Sequence, residues 1–288
     1  MWEAPTVQRL DGDRLHLQHG PIDVVLRAWG AAGAVREAYE AVVARFGAIL
    51  PELAGELTEL RKPMAERPGV DGPVARRMVA ACRPHAGLFV TPMAAVAGAV
   101  ADELMETLVT AAPLDRAFVN DGGDIAIHLT EGEIMDVAVA ADFARGAVPA
   151  LNGRITLSER DGIGGIATSG AQGRSFSLGI ADSVTVLARD AASADVAATL
   201  IANAVDVDDP AIRRSPACAL DPDSDLGSLL VTTAVGRLAK PQILAALEAG
   251  HARAEQFRRR GLIFDAALML QGETRILGPT RSLRELKP

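Results

Sequence analysis

Two short apolar runs, residues 117–120 and 125–129, are joined by Asn120-Asp121-Gly122-Gly123-Asp124, and this joint constrains the fold more than any other stretch. Paired glycines supply the positive φ that a tight hairpin turn demands, so the two runs are expected to pair as antiparallel strands. A second pair is expected within residues 8–27. There Leu15 and Leu17, then Ile22, Val24 and Leu26, alternate with polar positions around His19-Gly20-Pro21. Further strands are expected at 133–139, 164–168 and 183–187; near the end two apolar runs follow, 262–270 and 274–277, the second expected as an edge strand.

Between these strands the apolar spacing becomes helical. Val35, Tyr39, Val42, Val43 and Phe46 share a helix face, and Pro51 predicts a break that leaves two consecutive helices within 31–60. Residues 73–83 and 92–111 each read as a helix with proline in the first turn. Asp190 is placed to cap a helix running to about residue 205, and 242–260 forms a charged helix. No fixed-period repeat and no long linker rich in Pro, Gly or Ser divides the chain. The expected fold is therefore α+β, a single domain over residues 1–288 with a mixed or antiparallel sheet and flanking helices.

Composition narrows the function classes. A chain of 288 residues with 49% hydrophobic content can bury a substantial core. The net charge of -8, with both signs mixed along the sequence, gives no electrostatic footprint for a nucleic-acid backbone. The longest apolar run, 88–101, is interrupted by Thr91 and Pro92 and is too short to span a membrane. Residues 1–14 lack the basic and apolar segments of a secretory signal, so a cytoplasmic location is expected. Cys82 and Cys218 lie far apart, which argues against a disulfide framework or a zinc site, and both are expected to be buried thiols.

Three segments carry candidate chemistry. In Asn120 to Ile125, glycine amides and flanking polar side chains suit a ligand, or simply form a hairpin turn with solvated aspartates. The glycine-rich turn 162–165 leads into Ala167-Thr168-Ser169-Gly170. Its hydroxyls and amides, with Arg174 nearby, suit a phosphate or polar ring edge, or belong to a surface loop. Asp195 and Thr199 stand four apart on the expected helix, a pair of hard oxygen ligands suited to Mg²⁺ or an ordinary solvated face. The five histidines show no metal-binding or nucleophile-activating spacing.

Taken in order, Gly122-Gly123-Asp124-Ile125, Ala167-Thr168-Ser169-Gly170, Ser183 to Val186 and Ala194 to Thr199 resemble the motifs of the ApbE-like superfamily of flavin transferases. The match is best over 92–205, and the chain is similar to a short branch of bacterial and archaeal members. The resemblance implies FAD or another flavin nucleotide as cofactor, with Asn120, Gly122, Gly123, Asp124, Thr168, Ser169, Gly170 and Arg174 around it. It further implies Mg²⁺ held by Asp195, Thr199 and the Ala94 carbonyl, and Asp182 as the best match for a general base. The partner implied is a small nucleotide or ring-containing molecule, and the chain is expected to form a homodimer. Two departures stand out. Ala97 occupies the place of the family's lysine before Gly98, and the His-x-x-Asp-Pro-x-Thr-Gly segment is missing, only 171–181 separating Gly170 from Asp182. They leave two readings open: a Mg²⁺-dependent flavin transferase or hydrolase, and a non-catalytic cofactor-binding protein on the same scaffold.

Overall fold

The structure is a computed structural model that describes residues 3–140, 151–173, 175–278 and 283–284. Strands β1 (Thr6–Leu10), β2 (Arg14–His19) and β3 (Ile22–Trp29) precede helices α1 (Ala32–Gly55), α2 (Leu57–Leu60), α3 (Pro73–Cys82) and α4 (Val96–Ala111). The hairpin β4 (Arg116–Asp121) and β5 (Asp124–Leu129) follows, then β6 (Ile134–Ala140), β7 (Leu151–Ser158), β8 (Gly165–Ser169) and β9 (Ser183–Ala188). Helix α5 (Ala191–Ala204), β10 (Ile212–Pro216), α6 (Ala217–Leu220), β11 (Leu230–Val235) and α7 (Lys240–Arg259) lead to β12 (Asp265–Leu270), β13 (Glu273–Leu277) and β14 (Leu283–Arg284). The fold is α+β. Residues group into two compact units, each assembled from three separate stretches: 1–135, 158–167 and 188–196 form the first, and 136–157, 168–187 and 197–288 the second.

In the first unit β1 to β5 form an antiparallel meander, and β5 pairs in turn with β8 through Ile125 and Ile166. Alternation decides which face packs. Leu15 and Leu17 of β2, Val24, Leu26 and Ala28 of β3, and Ala117 and Val119 of β4 are buried on the side where α1 and α4 lie. Phe46, Ile49, Leu104 and Leu108 supply the helical half of that core. Glu103 of α4 is also buried, and it is paired: Arg45 Nε donates to it at 2.7 Å and Arg77 Nε at 3.2 Å. Pairing removes the cost of an isolated charge.

In the second unit β9, β12 and β13 are antiparallel neighbours, with α7 packed on β12 and β13. Every residue of β9 is buried, and β13 is the edge strand beside β12, as expected of the run 274–277. A separate two-stranded sheet pairs β10 with β11, and β6, β7 and β14 make a three-stranded one.

Three sequence expectations are corrected. Residues 6–29 form three strands rather than two, because the exposed run Thr6–Leu10 adds on the edge of β2, where no apolar alternation is needed. Pro51 does not break α1. It sits on the exposed side of a continuous helix, and Gly47, whose carbonyl it leaves without a helical donor, is itself only half-buried. Cys218 is exposed on α6, whereas Cys82 is buried and donates to Thr91 O at 3.4 Å. No described helix is long and apolar enough to cross a membrane.

Candidate functional site

The β4–β5 hairpin sets the first element of the site. Asp121 pairs with Asp124 across the turn, which leaves Gly122 at φ 64° and Gly123 at φ 117°, both in the region that glycine tolerates and other residues resist. Asn120 Oδ1 accepts the Gly123 N–H at 2.8 Å, so that amide is spent on closing the turn. Asp124 is half-buried. Asp121 continues the inward alternation of Ala117 and Val119 and is buried, a carboxylate at a core-facing strand position.

The second element is the approach of α4 to the start of α5. A Cβ on Gly98 would lie 2.3 Å from Ala191 O and 2.7 Å from Ala192 N, so the helices meet at a distance only glycine permits. Each helix then supplies a carboxylate to the other's N-terminus. Asp102 of α4 accepts the N–H groups of Ala191 and Ala192, both at 2.9 Å. Asp195 of α5 accepts the Gly98 N–H at 3.1 Å, and the Ala97 N–H also bonds to it. These are the orphan donors of a first helical turn, and a negative charge there is further favoured by the helix dipole. Asp190 caps α5 as expected, accepting the Ser193 N–H at 2.7 Å.

The environment of these carboxylates is unusual. Burial pushes the Asp195 carboxyl up to about 7; the backbone donors at Gly98 and Ala97 oppose that rise, and the nearby charges of Asp121 and Asp102 add to it. Burial likewise pushes Asp102 up to about 6, against the pull of its two helix N–H donors. Burial also raises the Cys82 thiol, with Asp195 as a second cause. No side-chain cation pairs with Asp195 among the described residues.

Raised carboxyl values bear on stability in a definite direction. Between about pH 4 and 7 the folded protein holds protons that the unfolded chain, near the ordinary 3.8, has released, so stability is full at the acid end and is lost as pH rises. Asp195→Asn keeps an oxygen for the Gly98 N–H and removes the charge. Measured in metal-free buffer, its stability relative to wild type should therefore improve by more than about 1 kcal/mol between pH 5 and pH 8. A difference independent of pH would mean that the Asp195 carboxyl titrates normally.

The remaining predicted site residues divide as follows. Ala94 lies in the 3₁₀ turn Pro92–Ala95 ahead of α4, in the first unit. Thr199 stands one turn beyond Asp195 on α5 and falls, with Thr168, Ser169, Gly170 and Asp182, in the second unit. Thr168 Oγ1 and Thr185 Oγ1 are 2.9 Å apart and share a hydrogen bond. Gly170 is pressed on backbone, its absent Cβ 2.3 Å from Asp182 O. The Asp182 carboxylate accepts the Gln271 N–H and, at 3.5 Å, Gln172 Nε2, which ties it to the β12–β13 turn. Arg174 lies outside the described residues. In the turn 162–165 Gly165 is likewise needed for close packing, since a Cβ there would lie 2.1 Å from the Asp190 carbonyl carbon.

Sequence reasoning missed Asp102 and read Asp121 only as a flanking carboxylate. A signal for the first was present: Gly98-x-x-x-Asp102 and Ala191-x-x-x-Asp195 repeat one pattern, a small residue one turn before an aspartate, at the starts of two helices.

Among the described residues no group of three or more His, Cys, Asp or Glu side chains is arranged to hold a metal ion. The donor set does suit Mg²⁺ in a narrower sense, because that ion commonly takes one or two carboxylates, several waters and ligand phosphates rather than a protein cage. Asp195, with Asp121 in electrostatic reach, offers that much.

Known proteins share this chain's sequence over part of its length. A UPF0280 protein of Methanothrix thermoacetophila is 37% identical over 160 residues, 55% of this chain and 62% of that protein. A UPF0280 protein of Methanopyrus kandleri is 36% identical over 183 residues, 62% of this chain and 70% of its own length. The chain thus spans less than two thirds of the Methanothrix relative. Among solved structures, the ApbE protein of Thermotoga maritima aligns over 96% of both chains with a TM-score of 0.49 and 13% identity. The model of the family described as AbpE bacteria matches residues 7–276, and it is to this family that the chain belongs.

Proposed function

We propose that this protein binds a flavin or related nucleotide cofactor with the help of Mg²⁺, and that it holds the cofactor rather than transferring it. The observation that carries the reading is the Asp195 carboxylate: buried, at the meeting of two helix N-termini, close to Asp121 and Asp102, and paired with no side-chain cation among the described residues. A divalent cation bound through Asp195 would relieve the repulsion and draw a pyrophosphate to the same end of α4 and α5, where backbone dipoles already favour anions. Bound there, Mg²⁺ would supply charge neutralisation for the phosphates. In the hairpin no heavy atom lies within 4 Å of where a Gly123 Cβ would stand, so that side of the turn is open to a ligand. The contributions of Thr168, Ser169, Thr199 and the Ala94 carbonyl rest on the motif resemblance.

Binding without transfer is favoured by the residues that stand where transfer chemistry is expected. Ala97 has no side-chain amine, and the His-containing segment is missing. The Asp182 carboxylate is engaged by the Gln271 N–H, so a proton-accepting oxygen is tied to a turn. Incubation of the protein with FAD, Mg²⁺ and a peptide carrying an acceptor Thr or Ser, followed by chromatography, should show bound FAD, no AMP above the protein-free control and no FMN-labelled peptide. Efficient Mg²⁺-dependent labelling would establish the transferase reading instead.

A further inference from the structure

The first unit carries a second candidate site, a pocket of about 430 Å³ between the end of α3 and the turn that precedes it. Its apolar lining comes from Met64, Pro68 and Val79, all buried. Arg67 and Arg83 also line it, both exposed, and neither guanidinium has a hydrogen-bond or ion-pair partner among the described residues.

The local structure explains how the two cations come to line one pocket. Val79 and Arg83 are one helical turn apart, the Arg83 N–H bonding to Val79 O, so a cation stands directly beyond an apolar wall residue. Arg67 closes the 3₁₀ turn Met64–Glu66 in the left-handed region, at φ 54°, and is followed by Pro68. A left-handed conformation is costly for a long side chain, and such outliers gather where a side chain must be aimed.

A pocket of this volume with an apolar floor and a few polar groups at its edge has the form of a small-molecule site. We infer that it binds a small organic anion, a carboxylate or phosphate carried on an apolar or aryl body, with the body on Met64, Pro68 and Val79 and the head group between Arg67 and Arg83. Guanidinium groups suit both heads, because their donors match carboxylate and phosphate oxygens in pairs.

Calorimetric titration of the full chain with 4-phenylbutyrate and with phenyl phosphate, against neutral 4-phenylbutyramide, tests this. At least one of the two anions should bind saturably at one site per chain, at least tenfold tighter than the amide, and the stronger of the two identifies the head group. The double variant Arg67→Asn, Arg83→Gln should reduce that anion to the level of the amide, asparagine being chosen because it tolerates the left-handed backbone. Ala86→Trp, at an exposed lining position, should block the anion and the amide together. Circular dichroism and melting temperature check that the variants are folded. Saturable binding by neither anion, or undiminished binding by the double variant, would overturn the assignment.

Discussion

Gly98→Ala should destabilise the protein by about 3 kcal/mol or more in urea unfolding, whereas Gly33→Ala should leave it unchanged or stabilise it by about 0.5–1 kcal/mol. Both glycines lie in helices, and alanine is the better helix former at each. What differs is the space beyond them. Nothing lies within 4 Å of a Cβ at Gly33, while at Gly98 the added carbon meets three backbone atoms of Ala191 and Ala192 at 2.3 to 2.7 Å. Backbone at the start of a helix cannot rotate aside as a side chain does, so α4 and α5 must separate. Separation would also stretch the bonds from Asp102 to Ala191 and Ala192 and from Asp195 to Gly98, and each helix would lose its partner's cap at about 1 kcal/mol apiece. If the two variants unfold at the same urea concentration, the close approach is wrong and the reciprocal capping with it.

That contrast shows what the sequence could and could not disclose. Elements with strong local signals were legible: the Gly122-Gly123 turn, the Asp190 cap and the alternation of β3 are found where the residues placed them. Where a local signal competed with an environment that the sequence does not display, it misled. Pro51 removes one helical bond, but the helix around it is held by Phe46, Ile49, Leu50 and Leu53 in the core, and packing outweighs the loss. Thr6–Leu10 has almost no buried side chain and joins the sheet through backbone pairing alone, which leaves no apolar pattern to read. The motifs marked candidate residues in the sequence but showed nothing of their electrostatics. Asp195 read either as a Mg²⁺ ligand or as half of a solvated helix pair, and nothing in 194–199 shows that Asp102 and Asp121, 93 and 74 residues earlier, approach the same carboxylate. Such long-range convergence depends on the sheet register, which sets Asp121 on the buried face, and on the glycine that lets two helices touch.

Removing the Asp195 charge should abolish the effect of Mg²⁺ on nucleotide affinity while leaving the fold intact. In calorimetric titrations of FAD at pH 8, Mg²⁺ should tighten binding to the wild type by at least about tenfold, the size expected of roughly 1.4 kcal/mol of charge neutralisation. Asp195→Asn should bind FAD equally with and without the ion. Asparagine is the informative replacement, since its oxygen still accepts the Gly98 N–H of α4. Alanine would leave that donor unsatisfied and confuse a ligand defect with a helix defect. Asp102→Asn supplies the control: it removes a neighbouring charge from the same cluster but one whose oxygens are both taken by Ala191 and Ala192. If Asp195 is the ligand, the control keeps its Mg²⁺ dependence, because relief of repulsion alone cannot replace a carboxylate that touches the ion. Loss of the dependence in both variants would show that the cluster acts through its total charge, with no single ligand. A wild type indifferent to Mg²⁺ would leave Asp195 as a helix cap only, its raised carboxyl a consequence of burial, and would remove the metal from the proposed function.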